Sequence, residues 1–132
     1  GLTRGSGKAH LARAALEAIA FQTVDAIRAM EGASGIPLSE LRVDGGATRN
    51  DLLLEIQADL LGVAVLRPRC TESTSLGAAF LAGIGAGVLD TEQIRRQWAL
   101  DRRFDPTLAA GRRDEMYRGW KKCVQLSLGW AK

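Results

Sequence analysis

The chain has 132 residues, which is enough for one domain or part of one and for a single buried core. Its residues are 46% hydrophobic and 25% charged, the composition of a soluble globular protein. The net charge of +3 is too small to make nucleic acid the leading partner. Cys70 and Cys123 belong to no metal-spaced cluster, so we interpret them as reduced, structural thiols of a cytoplasmic protein.

No membrane-targeting segment is predicted from the sequence. Residues 1–8 contain no apolar core, so they do not have the pattern of a signal peptide. Residues 76–89 carry no charge, but this stretch is short and rich in glycine. A membrane-spanning helix needs about 20 apolar residues. We therefore expect this stretch to form a helix that is buried against a sheet, with its glycines close to a neighbouring backbone.

Apolar residues recur at three- and four-residue steps through most of the chain, as in amphipathic helices. This periodicity predicts helices over residues 8–31, 49–61, 76–83, 91–98 and 108–131. Ser6 is the predicted cap of the first helix, which ends near Gly32 and Gly35. The second helix ends at Gly62, a residue suited to the left-handed conformation. An irregular link over residues 104–106 leads into the last helix.

The second and last helices each present an apolar face. In the second helix this face consists of Leu52, Leu53, Ile56 and Leu60, and in the last of Tyr117, Trp120, Val124 and Leu128. We expect the face of the second helix to be buried, because apolar stripes of this kind normally pack on a core. Thr71 to Ser75 are potential caps for the third helix.

Two short apolar runs, residues 41–44 and 63–66, predict β-strands. Leu41 and Val43 lie on one face of the first strand. Because a helix joins the two strands, they are expected to pair in parallel through a right-handed crossover. The predicted fold class is α/β, with few parallel strands and several helices. Two strands are few for so many apolar helices, so we expect further sequence upstream of Gly1.

The most informative motif follows the first strand and reads LRVDGGATRND over residues 41–51. Its adjacent glycines, Gly45 and Gly46, carry no Cβ, so a nucleotide can approach the main chain beside a helix start. Asn50 lies in the first turn of the predicted helix, and its amide suits the edge of a purine. A plain strand-to-helix connection fits the spacing equally well. The GxGxxG dinucleotide fingerprint and the Walker loop are both missing.

These residues resemble the FGGY family of carbohydrate kinases. Residues 42–52, RVDGGATRNDL, and residues 57–63, QADLLGV, look like the adenosine segment of that family. The resemblance extends over nearly the whole chain, through residues 1–5, 9–14, 71–79, 103–106 and 117–122. The last two segments are similar to the members that phosphorylate glycerol, rather than to the xylulose and ribulose kinases.

The resemblance implies that residues 1–132 are the C-terminal part of an actin-like, ribonuclease-H-type ATPase domain, without a second domain. It implies ATP-dependent phosphorylation of glycerol to glycerol 3-phosphate, with Mg²⁺ as the metal. Gly46 and Asn50, with Gly45 beside them, match positions that contact the adenosine part of ATP. The catalytic base and the polyol pocket would lie upstream of Gly1. We therefore expect this chain alone to be inactive and its partners to include the preceding part of the same kinase.

Four further polar residues are expected to act mainly in the structure of the turn and the helix ends. Asp44 is expected to hold the turn through backbone hydrogen bonds, and Asp51 stands where the family commonly has a second asparagine. His10 lies at a helix start without neighbouring metal ligands, so a capping or surface role is expected. Two roles are open for Glu72: it could approach a nucleotide, and capping of the helix that follows it through the favourable helix dipole accounts for it equally well.

The paired arginines and the tryptophans are not expected to contact a ligand. The arginine pairs, Arg95-Arg96 and Arg102-Arg103, are interpreted as solvated faces. The three tryptophans, Trp98, Trp120 and Trp130, are expected to pack the terminal helices rather than line a ligand pocket. Three alternatives remain open for the chain as a whole: another polyol or sugar kinase of the same family, a non-catalytic basic module for nucleic acid, and a self-associating segment that forms a homo-oligomer.

Overall fold

The computed structural model describes residues 1–129. Its elements in chain order are α1 (Lys8–Ser34), β1 (Glu40–Arg42), one 3₁₀ turn (Gly46–Arg49), α2 (Asp51–Leu61), β2 (Ala64–Pro68), α3 (Ser73–Gly85), α4 (Thr91–Arg96), β3 (Leu100–Phe104) and α5 (Ala110–Ser127). The five predicted helices are therefore present, with shifted ends. The last helix was predicted to continue to residue 131, and that end lies outside the described residues together with Trp130.

The sheet has three strands in the order β1-β2-β3. The predicted parallel pairing of β1 with β2 is confirmed, with Leu41 opposite Val65. The expectation of only two strands is wrong, because β3 pairs antiparallel with β2 and places Phe104 opposite Val65. The sequence of β3 is LDRRF, and only its last residue is buried. A strand without apolar alternation gives no periodic signal, which is why residues 100–104 were not predicted to form one.

Glycines and a histidine set the ends of α1. The predicted cap is wrong, because Gly7 occupies the capping position and Ser6 accepts a hydrogen bond from the Thr3 amide instead. The imidazole of His10 accepts the Gly7 amide hydrogen bond through Nδ1 at 3.1 Å, which confirms its capping role. The helix continues past residue 32 and ends at Gly35, whose φ of 70° is in the left-handed region.

Helix α2 lies between α1 and the sheet. On one side Ile56 and Leu60 pack with Phe21 and Val24 of α1. On the other side α2 packs on the sheet. The residues of this contact are Leu54, Ala58, Val65 and Phe104, with Leu41 and Val43 packed against them. The predicted apolar face is therefore wrong at one position. Leu52 is 40% exposed, because it lies between these two faces, whereas Leu54 is buried.

Helix α3 is largely exposed, so the predicted burial of residues 76–89 is wrong. Gly83 is its only buried residue, and Leu81 is 72% exposed. Close approach occurs at Gly83, beside the Leu89 side chain, whereas a Cβ at Gly77 or Gly85 would meet no atom within 4 Å. Among residues 1–129, no helix is long and apolar enough to span a membrane.

Helix α5 is attached to α1 through one carboxylate. Trp120 stacks on Phe21 with ring centroids 5.3 Å apart, and its Nε1 donates to Asp25 Oδ2 at 2.7 Å. The Tyr117 hydroxyl donates to the other oxygen of Asp25, and Arg28 lies over the tyrosine ring. The predicted stripe is thus confirmed at its first two positions. Leu128, at the far end of the stripe, follows the end of α5 and is 66% exposed.

The environment of Asp25 lowers its pKa below the ordinary 3.8. Partial burial acts in the opposite direction, but the hydrogen bonds from Trp120 and Tyr117 outweigh it, and the charges of Lys121 and Arg28 add to them. A carboxylate with a lowered pKa stabilises the fold fully above the pKa of the unfolded chain. The stabilisation is lost as the pH falls through the lowered folded value.

We expect Asp25→Asn to lower the free energy of unfolding by about 1 kcal/mol at pH 7, because hydrogen bonds to a charged acceptor are weakened at a partly exposed site. The difference from the unchanged chain should shrink as the pH falls below 3.8, the ordinary pKa of the group. Urea titrations followed by tryptophan fluorescence at neutral and acidic pH measure both effects. Asp114→Asn is the control, since this exposed carboxylate lies 4.0 Å from Arg28. A difference that grows on acidification would contradict the assignment.

Candidate functional site

The turn after β1 depends on one glycine. Gly45 has φ 84° and ψ 170°, a conformation that is essentially restricted to glycine. Its amide donates to the carbonyl of Thr71 at 2.9 Å, which ties the turn to the segment after β2. Just before it, the Val43 amide donates to the Leu66 carbonyl at 3.1 Å and continues the pairing of the two strands. The turn therefore leaves the sheet at a fixed angle.

The space over both glycines is open. A Cβ placed at Gly45 or at Gly46 would meet no atom within 4 Å. Gly46 itself is exposed and has no positive φ, so its backbone does not require glycine. Within residues 1–129, the amides of Gly46 and Ala47 donate no hydrogen bond. Bare main chain with available N–H groups is thus presented to the solvent beside the start of α2.

Thr48 closes the turn through two hydrogen bonds. Its amide and its hydroxyl both donate to the Gly45 carbonyl, at 3.1 and 2.7 Å. The residue is only 4% exposed, although the glycines next to it are open. The short 3₁₀ turn that results, Gly46–Arg49, separates Gly45 from α2, and this turn was not predicted. The second helix consequently begins at Asp51 rather than near residue 49.

Asn50 caps α2, so it precedes the helix and does not lie in its first turn. Its side-chain Oδ1 accepts the amide of Leu53 at 3.2 Å, and its own amide donates to the Ala47 carbonyl. The carboxamide oxygen is therefore occupied by the helix. The Nδ2 group makes no hydrogen bond within the part of the chain that the structure describes, and the residue is exposed. It remains available as a donor next to the open glycines.

Arg67 supports the turn from β2. Its Nη1 donates to the Thr48 carbonyl at 2.9 Å and to Asp51 Oδ1 at 2.6 Å, while its Nε donates to Asp101 at 2.7 Å. Arg102 pairs with the other oxygen of Asp51, so the residue at the usual position of a second asparagine serves the scaffold. These carboxylates, Asp51 first, raise the pKa of Arg67 above its usual value. Sequence reasoning did not identify this role, although an arginine inside an apolar strand is a usable signal.

Asp44 acts differently from its predicted role, whereas Glu72 lies where a capping residue was predicted. The Asp44 carboxylate accepts a hydrogen bond from the Ser73 hydroxyl at the start of α3, so it links two segments through a side chain and not through the backbone. Glu72 occupies the capping position of α3, but its side chain forms no capping hydrogen bond. Its carboxylate lies 4.0 Å from the Arg49 guanidinium, which places an exposed ion pair beside the turn.

A cavity of about 650 Å³ lies next to this turn, between the ends of the strands and α3 and α4. Its lining residues are Arg42, Val43, Asp44, Pro68, Arg69, Cys70, Ser73, Leu76, Gly77, Phe80, Ile94, Arg95, Gln97, Trp98 and Ala99. Gly45, Gly46 and Asn50 are not among them. The expectation that Trp98 packs a terminal helix is wrong, since it lines the cavity with Arg42 4.5 Å from its ring.

Among residues 1–129, the remaining chemical groups give no second site. Both cysteines are free, as predicted, but they are exposed and so do not have the buried, structural position that was expected. Within residues 1–129, no group of three or more histidine, cysteine, aspartate or glutamate side chains is placed to hold a metal ion. Of the predicted solvated arginine pairs, Arg103 bonds the neighbouring Asp105, while Arg95 lines the cavity.

Comparison with known families agrees with this arrangement. The model of the FGGY family of carbohydrate kinases, C-terminal domain, matches residues 1–86, which include the glycine turn and both parallel strands. The chain belongs to the FGGY family of carbohydrate kinases. A glycerol kinase from Citrifermentans bemidjiense is 80% identical to this FGGY chain, over 100% of the chain and 27% of the relative. The chain thus spans about a quarter of the length of the curated relatives that it matches.

Solved structures show the same fold. The Plasmodium falciparum glycerol kinase with ADP has a TM-score of 0.84 and 30% identity, over 97% of this FGGY chain and 26% of the other. A xylulose kinase from Rhodospirillum rubrum has a TM-score of 0.79 and 25% identity, over 96% and 26%. The predicted fold class, the C-terminal part of an actin-like, ribonuclease-H-type ATPase domain with α/β architecture, is confirmed. The sheet is mixed, because β3 runs antiparallel.

We expect Gly45→Ala and Gly46→Ala to differ although both substitutions enter open space. The first forces a Cβ into a positive-φ conformation and should lower the free energy of unfolding by about 1–3 kcal/mol. The second should change it by less than about 0.5 kcal/mol, the range of an exposed substitution without backbone strain. Chemical denaturation of the two variants measures the difference. Equal stability would mean that the backbone at residue 45 is not left-handed in solution.

Proposed function

We propose that this chain supplies the adenosine side of the nucleotide cleft in an ATP-dependent kinase that converts glycerol to glycerol 3-phosphate. The name of the 80% identical relative, glycerol kinase, supports the acceptor. The ADP in the Plasmodium falciparum glycerol kinase structure supports the nucleotide. Residues 1–132 would act as one segment, and the free thiols fit a reducing compartment such as the cytoplasm.

The observation that carries this proposal is the open main chain at the glycine turn. Gly45 sets the turn, Gly46 lets the adenosine approach the backbone, and Asn50 donates from Nδ2 to a ring nitrogen or a ribose oxygen. A carboxamide whose oxygen already caps a helix has a fixed orientation, so its donor is preorganised for a ligand. Side chains at these two glycines would fill the space that the nucleotide needs.

Phosphoryl transfer also needs a metal and a base. Mg²⁺ bound to the phosphates neutralises the charge that develops during transfer. The described residues do not form a magnesium site of their own, since no suitable group of ligands lies among them. We assign the metal ligands, the base and the glycerol pocket to the preceding part of the same kinase. That part, ATP and glycerol are the proposed partners, and the exposed apolar residues of α3 would support a homo-oligomer.

Gly46→Val and Asn50→Asp test the proposed adenosine contacts. We expect each variant to raise the Kd for ADP at least about tenfold, because one fills the open space and the other replaces the amide donor by a negative charge. The aspartate still caps α2, so the helix should persist. An NMR titration of the chain with ADP measures the Kd and reports on folding in the same spectra.

Two substitutions far from the turn serve as matched controls for these variants. Gly119→Val adds the same side chain at another open position, on α5, and Gln125→Glu adds the same charge on an exposed part of that helix. Both should leave the Kd within about twofold, a difference smaller than 0.5 kcal/mol. Unchanged ADP binding in the two turn variants would contradict the proposal. Binding of nucleic acid that falls steeply with salt would favour the basic-module alternative instead.

We expect this chain alone to produce no ADP from ATP and glycerol in a coupled enzyme assay, even at high protein concentration. The reason is that the base and the polyol pocket are assigned to the preceding part of the kinase. Turnover that copurifies with the chain and disappears in Gly46→Val would contradict that assignment. Within the family, replacement of glycerol by xylulose in the full-length kinase separates the first proposal from a sugar kinase, which the similarity to a xylulose kinase keeps as a second candidate.

A further inference from the structure

We propose that Arg67 is a positioning residue for the adenosine-binding turn, acting through Thr48 and Asp51. This inference rests on the proposed function, because it concerns the same site. Arg67 lies on β2 and contacts the turn at Thr48 and Asp51 rather than at the open glycines. Its side chain is 15% exposed, so most of it is covered by its partners and is not presented to a ligand. Its influence on a nucleotide must therefore pass through the residues that it binds.

The guanidinium joins three separate parts of the chain. One nitrogen, Nη1, reaches the main-chain oxygen of Thr48 and a carboxylate oxygen of Asp51, and Nε reaches Asp101 on β3. Planar donors in fixed directions suit this task, whereas a lysine offers one flexible point charge. The ring of Phe104 lies 5.5 Å from the guanidinium carbon and limits its movement. Arg67 can therefore fix the relative positions of the turn, the start of α2 and the edge of the sheet.

The connection from Arg67 to the glycines is short. Thr48 accepts the hydrogen bond from Arg67 with its carbonyl and donates two of its own to the Gly45 carbonyl. Asp51 follows directly after Asn50 and begins α2. Arg67 thus contacts the chain on both sides of Asn50, at Thr48 within the four-residue 3₁₀ turn and at Asp51 at the start of α2. Because Thr48 also binds the Gly45 carbonyl, these contacts fix Asn50 relative to the open glycines.

A purely stabilising role for Arg67 makes a different prediction. Loss of a fold-wide contact would raise amide exchange throughout α1 and α2, whereas loss of a positioning contact would act on the turn. The amides of Thr48 and Asn50 are suitable reporters, because each is hydrogen-bonded within the turn. Arg103 offers a matched control on the same sheet, since its guanidinium bonds Asp105, two residues along the chain.

The test compares Arg67→Gln, Arg67→Lys and Arg103→Gln in this chain. Hydrogen exchange is measured by NMR, and ADP is the probe for affinity. We expect Arg67→Gln to speed exchange at Thr48 and Asn50 at least about tenfold relative to α1 and to raise the Kd for ADP about tenfold, the size expected for one charged hydrogen bond. Arg67→Lys should recover part of both effects. Arg103→Gln should change neither by more than about twofold.

The outcomes separate this inference from the proposed function. Exchange that rises equally in α1, α2 and the turn of Arg67→Gln would overturn the positioning role. Normal ADP affinity in that variant would overturn it as well. Failure of the unchanged chain to bind ADP, with Gly46→Val and Asn50→Asp indistinguishable from it, would instead overturn the proposed function, and with it the role of Arg67 toward a nucleotide.

Discussion

The Arg67 guanidinium holds the parts of this chain that its proposed activity requires in one arrangement. Its partners are a main-chain carbonyl, a carboxylate at the first position of α2 and a carboxylate on the edge strand. Without the three bonds from Arg67, the turn after β1 would still be linked to the segment after β2 by the hydrogen bond from the Gly45 amide to the Thr71 carbonyl. A largely covered cation with charged acceptors is worth more than an exposed ion pair, but only while every partner remains in place.

The rest of the fold holds α2, the helix that follows this turn, in a fixed position. Helix α2 is packed on both sides, against α1 through Ile56 and Leu60 and against the sheet through Leu54. Asp25 then attaches α5 to the outer face of α1. These contacts fix α2 from its middle to its end and leave its first residues to the turn. The open glycines thus lie just before a rigid element, and their own surface stays free of side chains.

Features encoded within a few residues could be predicted from the sequence. Gly62 ends α2 in a left-handed conformation, because glycine adopts it without strain. The parallel pairing of β1 and β2 follows from the helix between them. Features that depend on distant partners could not be predicted. Arg102 of β3 binds the carboxylates of Asp51 and Glu55 on α2, and Leu81 is exposed because the described chain buries only Gly83 of α3. Asn50 shows a third limit of prediction from sequence, because the same side-chain amide can cap a helix or contact a ligand.

The most direct test of this account is the location of an adenine nucleotide on the chain. We predict that NMR shift changes on titration with ADP are largest at the amides of residues 45–50, with intermolecular contacts between the adenine protons and this turn. The cavity beside the turn contains a tryptophan indole, that of Trp98, which provides a separate reporter. Changes confined to Trp98 and the first turns of α3, with none at the glycines, would contradict the account.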